Sequence, residues 1–185
     1  MRIVAGRFKG MTLLRPEDKK IRPLKDMVRE SIFNFLTHSN KISFQIEKSN
    51  VLDLYSGTGS FGLECLSRQA AKVIFIENEK NAVRILEKNI EKLKVKNETK
   101  IFCDDVFQVI KKHGKAHLDQ FAKMKFDLIF CDPPFKNTNI NDLIELIVAE
   151  NLLKNNGIII LHRHKNTKEK LTIYFKVIDI LIFFY

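Results

Sequence analysis

The stretch Val51-Leu52-Asp53-Leu54-Tyr55-Ser56-Gly57-Thr58-Gly59-Ser60-Phe61-Gly62 decides the fold. A short apolar run ends in a glycine cluster, and Phe61 to Arg68 then continues with helical character. Glycine lets the backbone turn sharply off a strand, approach a ligand and enter a helix with no side chain in the way. An ordinary tight turn is the plain alternative for this spacing alone, so the flanks matter. Downstream, Lys72-Val73-Ile74-Phe75-Ile76 is a buried-type strand ending at Glu77. Asn81 to Leu93 has apolar residues at 82, 83, 85, 86, 90 and 93, a helical stripe with lysines opposite. Thr99 to Phe102, Phe126 to Cys131 and Ile158 to Leu161 read as further strands. Between them lie helical stretches from Val106 and from Asn141 to Leu153, and a turn at Asn155-Asn156-Gly157. Continuous apolar strands alternating with helices predict a mostly parallel sheet with helices on both faces.

The first 48 residues break this alternation. Arg2 to Leu14, with Gly6 and Gly10, suits a small basic hairpin, and Asp26 to Leu36 suits a helix. Residues 1–48 are too few to be stable alone, so they are expected to pack as an extension on a core domain spanning 49–185. The 185 residues, 45% hydrophobic, suffice for one such unit. The net charge of +10 is unevenly placed. Residues 1–50 carry 11 Lys and Arg against 5 Asp and Glu, residues 51–150 carry 15 of each, and residues 151–185 carry 6 against 2. Basic ends flanking a neutral middle suit phosphate contacts, with Arg7, Lys9 and Arg22 as candidates; a merely solvated surface is the bland alternative. Cys65, Cys103 and Cys131 offer neither a disulfide framework nor a C-x-x-C spacing, which fits a reducing cytoplasm. The N-terminus lacks a signal-peptide run and no stretch approaches the ~18 apolar residues of a membrane span, so a cytoplasmic location without membrane attachment is expected. No metal site is expected: His113 and His117, and His162 and His164, lack clustered partner ligands, and the latter pair reads as surface at a strand end.

Two constellations carry chemistry. The first is the glycine turn, G-x-G-x-x-G at 57, 59 and 62, with Glu77 twenty residues after Gly57. That spacing also fits a dinucleotide site. Asp53 favours S-adenosylmethionine, whose ammonium and sulfonium a carboxylate can balance. Glu77 can accept from ribose hydroxyls. Asp104 and Asp105, after the third strand, offer an acceptor for an adenine amino group, or merely begin a helix. The second constellation is Asp132-Pro133-Pro134-Phe135, directly after the fourth strand. An exocyclic base amine is a poor nucleophile because its lone pair is delocalised into the ring. A carboxylate and an adjacent backbone carbonyl can accept its N–H groups and turn that lone pair toward an incoming methyl. The prolines stiffen the turn, and the aromatic ring can stack on a base swung out of its helix. Cys131 precedes the turn and reads as core.

Asp-x-x-x-Gly-x-Gly followed by Asp-Pro-Pro-Phe resembles class I methyltransferases that modify amino groups. Met1-Arg2-Ile3-Val4-Ala5-Gly6, Arg22-Pro23, Asp26 to Asn34 and Phe61 to Arg68 are similar to the RsmD family of 16S ribosomal RNA guanine-N2 methyltransferases. The resemblance implies a Rossmann-like fold and a monomeric enzyme acting on 16S rRNA, within an assembled or assembling 30S subunit. It implies a cofactor site at Asp53, Gly57, Gly59, Glu77 and Asp105, with Tyr55 in the same loop, and the target base at Asp132, Pro133, Pro134 and Phe135. It also implies that Arg29 contacts the neighbourhood of the substrate. Two departures stand out: Leu24 replaces the threonine usual after Arg-Pro, and Phe175 to Tyr185 lacks the turn of the family's last hairpin, leaving a seven-stranded sheet in question. The rival readings are the same chemistry on DNA adenine or cytosine or on protein glutamine, and a non-catalytic binder of RNA or a nicotinamide cofactor.

Overall fold

Runs such as Val73–Ile76 and Leu128–Cys131 are apolar on both sides, which suits strands covered above and below. The computed structural model describes residues 1–16, 24, 26–112, 124–134 and 139–163. Among them, β1 (Asn50–Leu54), β2 (Lys72–Ile76), β3 (Thr99–Phe102), β4 (Phe126–Cys131) and β5 (Leu153–Leu161) form one parallel sheet in the order β3-β2-β1-β4-β5. The chain steps outward from β1 to β3 and then returns to place β4 on the other side of β1. Ligands of open α/β sheets bind where the direction reverses in this way, outside the strand carboxyl ends.

Alternate strand residues serve opposite faces. Val51, Val73, Phe75, Leu128 and Phe130 pack with α1 (Asp26–His38), α2 (Ser60–Ser67) and α3 (Lys80–Leu93). Leu52, Leu54, Ile74, Ile76, Ile129 and Cys131 pack with α4 (Val106–Lys111) and α5 (Ile140–Ala149). A run of stacked rings joins α1 to the sheet: Phe33 on Phe61 with centroids 5.1 Å apart, and Phe61 on Phe130 at 3.9 Å.

The N-terminal segment shares the first of these cores through Met1, Ile3 and Leu13. Arg2 and Thr12 form an antiparallel bridge, and the turn between them leans on α2. Gly6, at φ 81°, lies so close to that helix that a Cβ would stand 1.9 Å from the Ser67 carbonyl oxygen. Glu64, fully buried in α2, accepts from the Val4 and Ala5 amides at 2.8 and 3.0 Å and from Arg68 Nε at 3.0 Å. Asn89, buried in α3, accepts from the Leu14 amide at 2.7 Å and donates to the Thr58 carbonyl at 3.3 Å. One amide side chain thus ties the N-terminal segment to the glycine turn.

Two boundaries differ from the sequence reading. The last helix ends at Ala149 rather than Leu153, because Asn151 takes a left-handed φ of 52° and turns the buried Leu152 toward the sheet. Asn155-Asn156-Gly157 is no turn ahead of a strand: β5 already begins at Leu153, opposite Phe126, and the next pair is Leu128 with Ile158. The polar triplet sits in that bulge, where extra residues need no ladder partners. The segment 175–185, and with it the question of a final hairpin, lies outside the described residues.

Candidate active site

The carboxyl ends of β1 and β4, adjacent in the sheet, place the two constellations on one cleft. Asp53, Tyr55, Gly57, Leu24, Phe130 and Asp132 are among the residues lining it. Its floor is the turn between β1 and α2. Tyr55 (φ 57°), Gly57 (φ 54°) and Gly59 (φ 80°) are all left-handed, a conformation that costs a non-glycine residue energy and that clusters at ligand sites. At Gly59 the backbone angle demands glycine, and a Cβ would also stand 2.3 Å from Leu86 Cδ1, so that methyl would have to move. The turn is braced from β2: the Ser56 amide donates to the Ile76 carbonyl at 3.1 Å.

Glu77 holds the same turn. Its Oε2 accepts from the Gly57 amide and its Oε1 from the Glu79 amide, each at 2.8 Å. Each carboxylate oxygen retains a further lone pair, so the group can be positioned by these amides and still accept from a diol.

Asp53 is buried, and its Oδ2 accepts from the Gly62 amide at 3.0 Å. Its Oδ1 has no hydrogen-bond partner among the described residues although it is shielded from solvent. Burial pushes the Asp53 carboxyl well above the usual carboxylate range; the Gly62 hydrogen bond opposes that, and the negative charges of Asp132 and Glu77 add to it. A buried carboxyl with an orphaned oxygen beside a cleft is costly to ionise unless a cation or donor arrives. The ammonium-bearing cofactor anticipated from the sequence fits that requirement.

Asp132 follows β4 with its side chain 23% exposed. The Asp132 amide approaches the Leu54 carbonyl at 3.4 Å, and Oδ1 lies 2.7 Å from His162 Nδ1. Pro133 and Pro134 follow, with the Pro134 carbonyl accepting from Arg163 Nη1 at 3.3 Å. Phe135 lies outside the described residues, as does Arg22. Asp105 caps α4, accepting from the Gln108 amide at 3.1 Å, just past the carboxyl end of β3. Asp104 pairs with Lys112 at 3.1 Å; the Asp105 amide that it accepts lowers its carboxyl, and the Lys112 contact acts in the same direction.

The basic candidates divide. Lys9 is exposed. Arg7 is committed within the fold, pairing with Glu98 and donating to the Leu66 carbonyl at 3.3 Å. Arg29 requires a correction: it is fully buried, its Nη2 donates to the Arg2 carbonyl at 2.6 Å and to Asp26 at 2.9 Å, and its Nε lies 3.7 Å from Glu64. A guanidinium enclosed among the N-terminal segment, α1 and α2 cannot meet a phosphate. Its sequence position near other motif residues reflected a structural fastener.

Sequence reasoning missed His162. Its place at a strand end suggests surface, yet it is half-buried and touches Asp132. The available signal was topological: with Cys131 opposite Leu161 in register, the residue after each strand must be a neighbour of the other.

Among the described residues no helix is long and apolar enough to cross a membrane, and no cluster of three or more His, Cys, Asp or Glu could hold a metal. A parallel sheet of this order, a glycine turn after β1, an acid after β2 and Asp-Pro-Pro after β4 together define a Rossmann-like class I methyltransferase. A family model described as Conserved hypothetical protein 95 matches residues 1–179. The chain belongs to that family, the RsmD family. It is 35% identical over 167 residues to Ribosomal RNA small subunit methyltransferase D of Haemophilus influenzae, covering 90% of this chain and 80% of that protein. The protein of the same name from Buchnera aphidicola is 34% identical over 171 residues, 92% of this chain and 79% of the relative. The solved structure of yhhF from Escherichia coli superposes with a TM-score of 0.71 at 27% identity, covering 87% of this chain and 78% of that one.

Proposed function

We propose that this methyltransferase uses S-adenosyl-L-methionine to methylate the exocyclic N2 amine of one guanine in 16S ribosomal RNA, acting as a monomer in the cytoplasm on an assembled or assembling 30S subunit. The observation that carries the reading is the shared cleft, with the orphaned Asp53 Oδ1 on one side and Asp132 on the other. Asp53 would hold the cofactor's ammonium, Glu77 its ribose hydroxyls and Asp105 its adenine amine, while Tyr55, Gly57 and Gly59 shape the floor. When bound, the cofactor supplies an electrophilic methyl whose bond to sulfur breaks as the bond to nitrogen forms. Asp132 and the Pro133 carbonyl accept the two N–H bonds of the amine, which turns its lone pair out of the ring plane. Pro134 fixes the turn and Phe135 stacks on the base. The amine sheds its surplus proton to Asp132 or to water. Leu24, buried at 7% exposure where a hydroxyl residue is usual, gives the cleft an apolar wall that excludes water. Positioning of this kind accounts for most of what such a site must contribute.

The relatives' name, Ribosomal RNA small subunit methyltransferase D, supports the ribosomal substrate, and Lys9 and Arg22 are the basic side chains proposed to meet phosphates. The test is transfer of labelled methyl to small subunits lacking the modification, compared with naked 16S rRNA, followed by nucleoside analysis. N2-methylguanosine is the expected product. Label recovered in adenine, cytosine or protein would overturn the assignment, and calorimetric binding of NAD in preference to S-adenosylmethionine would overturn the cofactor.

A further inference from the structure

We propose that His162 is a positioning residue for Asp132, and that His162 and Arg163 together clamp the Asp-Pro-Pro turn so that two acceptors remain for the base amine. The inference rests on the proposed amino-methylation and goes beyond it, to a residue that the motif itself does not contain.

The geometry starts with the ladder between β4 and β5. The His162 amide donates to the Cys131 carbonyl at 2.9 Å, extending the parallel pairing one residue past the strands. That bond fixes the backbone from which the imidazole leaves, and the ring sits with only 10% of its side chain exposed. Its Nδ1 meets Asp132 Oδ1 at 2.7 Å. A contact this short needs one proton between the atoms. An ionised carboxylate brings none, so Nδ1 carries it and donates. One residue on, Arg163 Nη1 donates to the Pro134 carbonyl at 3.3 Å.

The consequence concerns rotation. The torsion that aims an aspartate carboxylate is broad and roughly two-fold, so an untethered carboxylate samples many orientations. Holding Oδ1 from β5 selects one of them and leaves Oδ2 as the oxygen that can accept from the amine. Holding the Pro134 carbonyl by Arg163 removes a competing acceptor and leaves the carbonyl of Pro133. Among the described residues, neither Asp132 Oδ2 nor the Pro133 carbonyl makes a hydrogen bond, whereas Asp132 Oδ1 and the Pro134 carbonyl do. Selection of two acceptors out of four is the task that directing one lone pair demands.

The experiment compares wild type, His162→Ala and His162→Asn in transfer of labelled methyl to unmodified small subunits, with the cofactor dissociation constant and melting temperature measured for each. Asparagine places an N–H donor near the position of Nδ1, and alanine places none. His162→Ala is expected to lower kcat by ~10- to ~100-fold, the scale for misplacing a reacting group. KM and cofactor affinity stay within about twofold, since the tether acts on orientation and not on binding. His162→Asn is expected to recover most of the lost rate. An alanine variant with undiminished kcat, or an asparagine variant as slow as alanine at equal melting temperature, overturns the proposal. Nitrogen-15 spectra of histidine-labelled protein give a reading independent of turnover. The His162 ring is expected to carry its proton on Nδ1, and to lose that preference in Asp132→Ala. A ring protonated only on Nε2 in wild type overturns the tether even if the enzyme is active. A wild type with the Nδ1 proton but no transfer to ribosomal substrate upholds the tether and sinks the function on which its use depends.

Discussion

Asp53→Asn separates the cost of a buried charge from its use. Asparagine keeps an oxygen to accept from the Gly62 amide but removes the charge whose second oxygen is orphaned. Burial first, then the neighbouring Asp132 and Glu77, hold the folded-state carboxyl well above its ordinary value. The folded protein therefore binds a proton more tightly than the unfolded chain does at this position. Stability then falls as pH rises, from the unfolded carboxylate range near ~4 up to the raised folded value, by about 1.4 kcal/mol per pH unit. A neutral side chain has no such slope. For a chain of this size that difference corresponds to roughly 3–5 °C of melting temperature per pH unit. The asparagine amide donor left where Oδ1 stood adds a pH-independent offset of about 1–3 kcal/mol. The slope of the difference between variant and wild type, and not its sign at one pH, is thus the quantity to read. Cofactor affinity moves the other way. Losing a charge-assisted hydrogen bond of about 1.5–3 kcal/mol raises the dissociation constant roughly 10- to 150-fold. Melting curves without cofactor from pH 4 to 8 and calorimetry with S-adenosylmethionine near neutrality measure both. Parallel melting curves for the two proteins, or an unaltered dissociation constant, would refute the reasoning.

Asp132→Ala should lower methyl transfer by at least ~100-fold, as when one well-placed polar group is lost, with cofactor affinity within a few-fold; equal losses in both would move Asp132 into the cofactor pocket. Gly59→Ala should cost roughly 2–5 kcal/mol in urea unfolding, combining left-handed backbone strain with displacement of the Leu86 methyl; a loss below ~1 kcal/mol would mean the turn relaxes freely. Lys9→Gln with Arg22→Gln should flatten the slope of log affinity for ribosomal RNA against log salt by ~1.4–1.8. Arg7 is left out because Glu98 already holds it, and an unchanged slope in a normally melting protein would leave Lys9 and Arg22 as plain surface.

The sheet was legible because its evidence is local. Val51–Leu54, Lys72–Ile76 and Phe126–Cys131 announce themselves as apolar runs, and the strand bounds agree closely. The glycine turn and Asp-Pro-Pro were legible for the same reason, since residue type and spacing state their chemistry within ten residues. What escaped depended on pairing at a distance. Arg29 reads as a surface cation until Glu64, 35 positions away, encloses it with α2. His162 reads as surface until the register of β5 against β4 sets it beside Asp132. Asn155-Asn156-Gly157 has turn composition, and only the register jump against Phe126 and Leu128 shows that a bulge uses it. Charge counting located a basic N-terminal region correctly but could not tell Lys9, which is exposed, from Arg7, which is spoken for.

The Glu64 carboxylate also imposes an order of events. Its partners Val4 and Ala5 precede it by 60 and 59 residues, and Arg29 also comes earlier in the chain. At a synthesis rate of ~5–20 residues per second, the start of the chain waits about 3–12 s for the anion that anchors it. Through that interval the first residues are a cationic strip without the anion that anchors them. Docking of the N-terminus must then follow formation of the β1–α2 unit. A fusion partner or tag ahead of Met1 therefore joins the chain at a place that settles late, next to a residue only 5% exposed once it has settled.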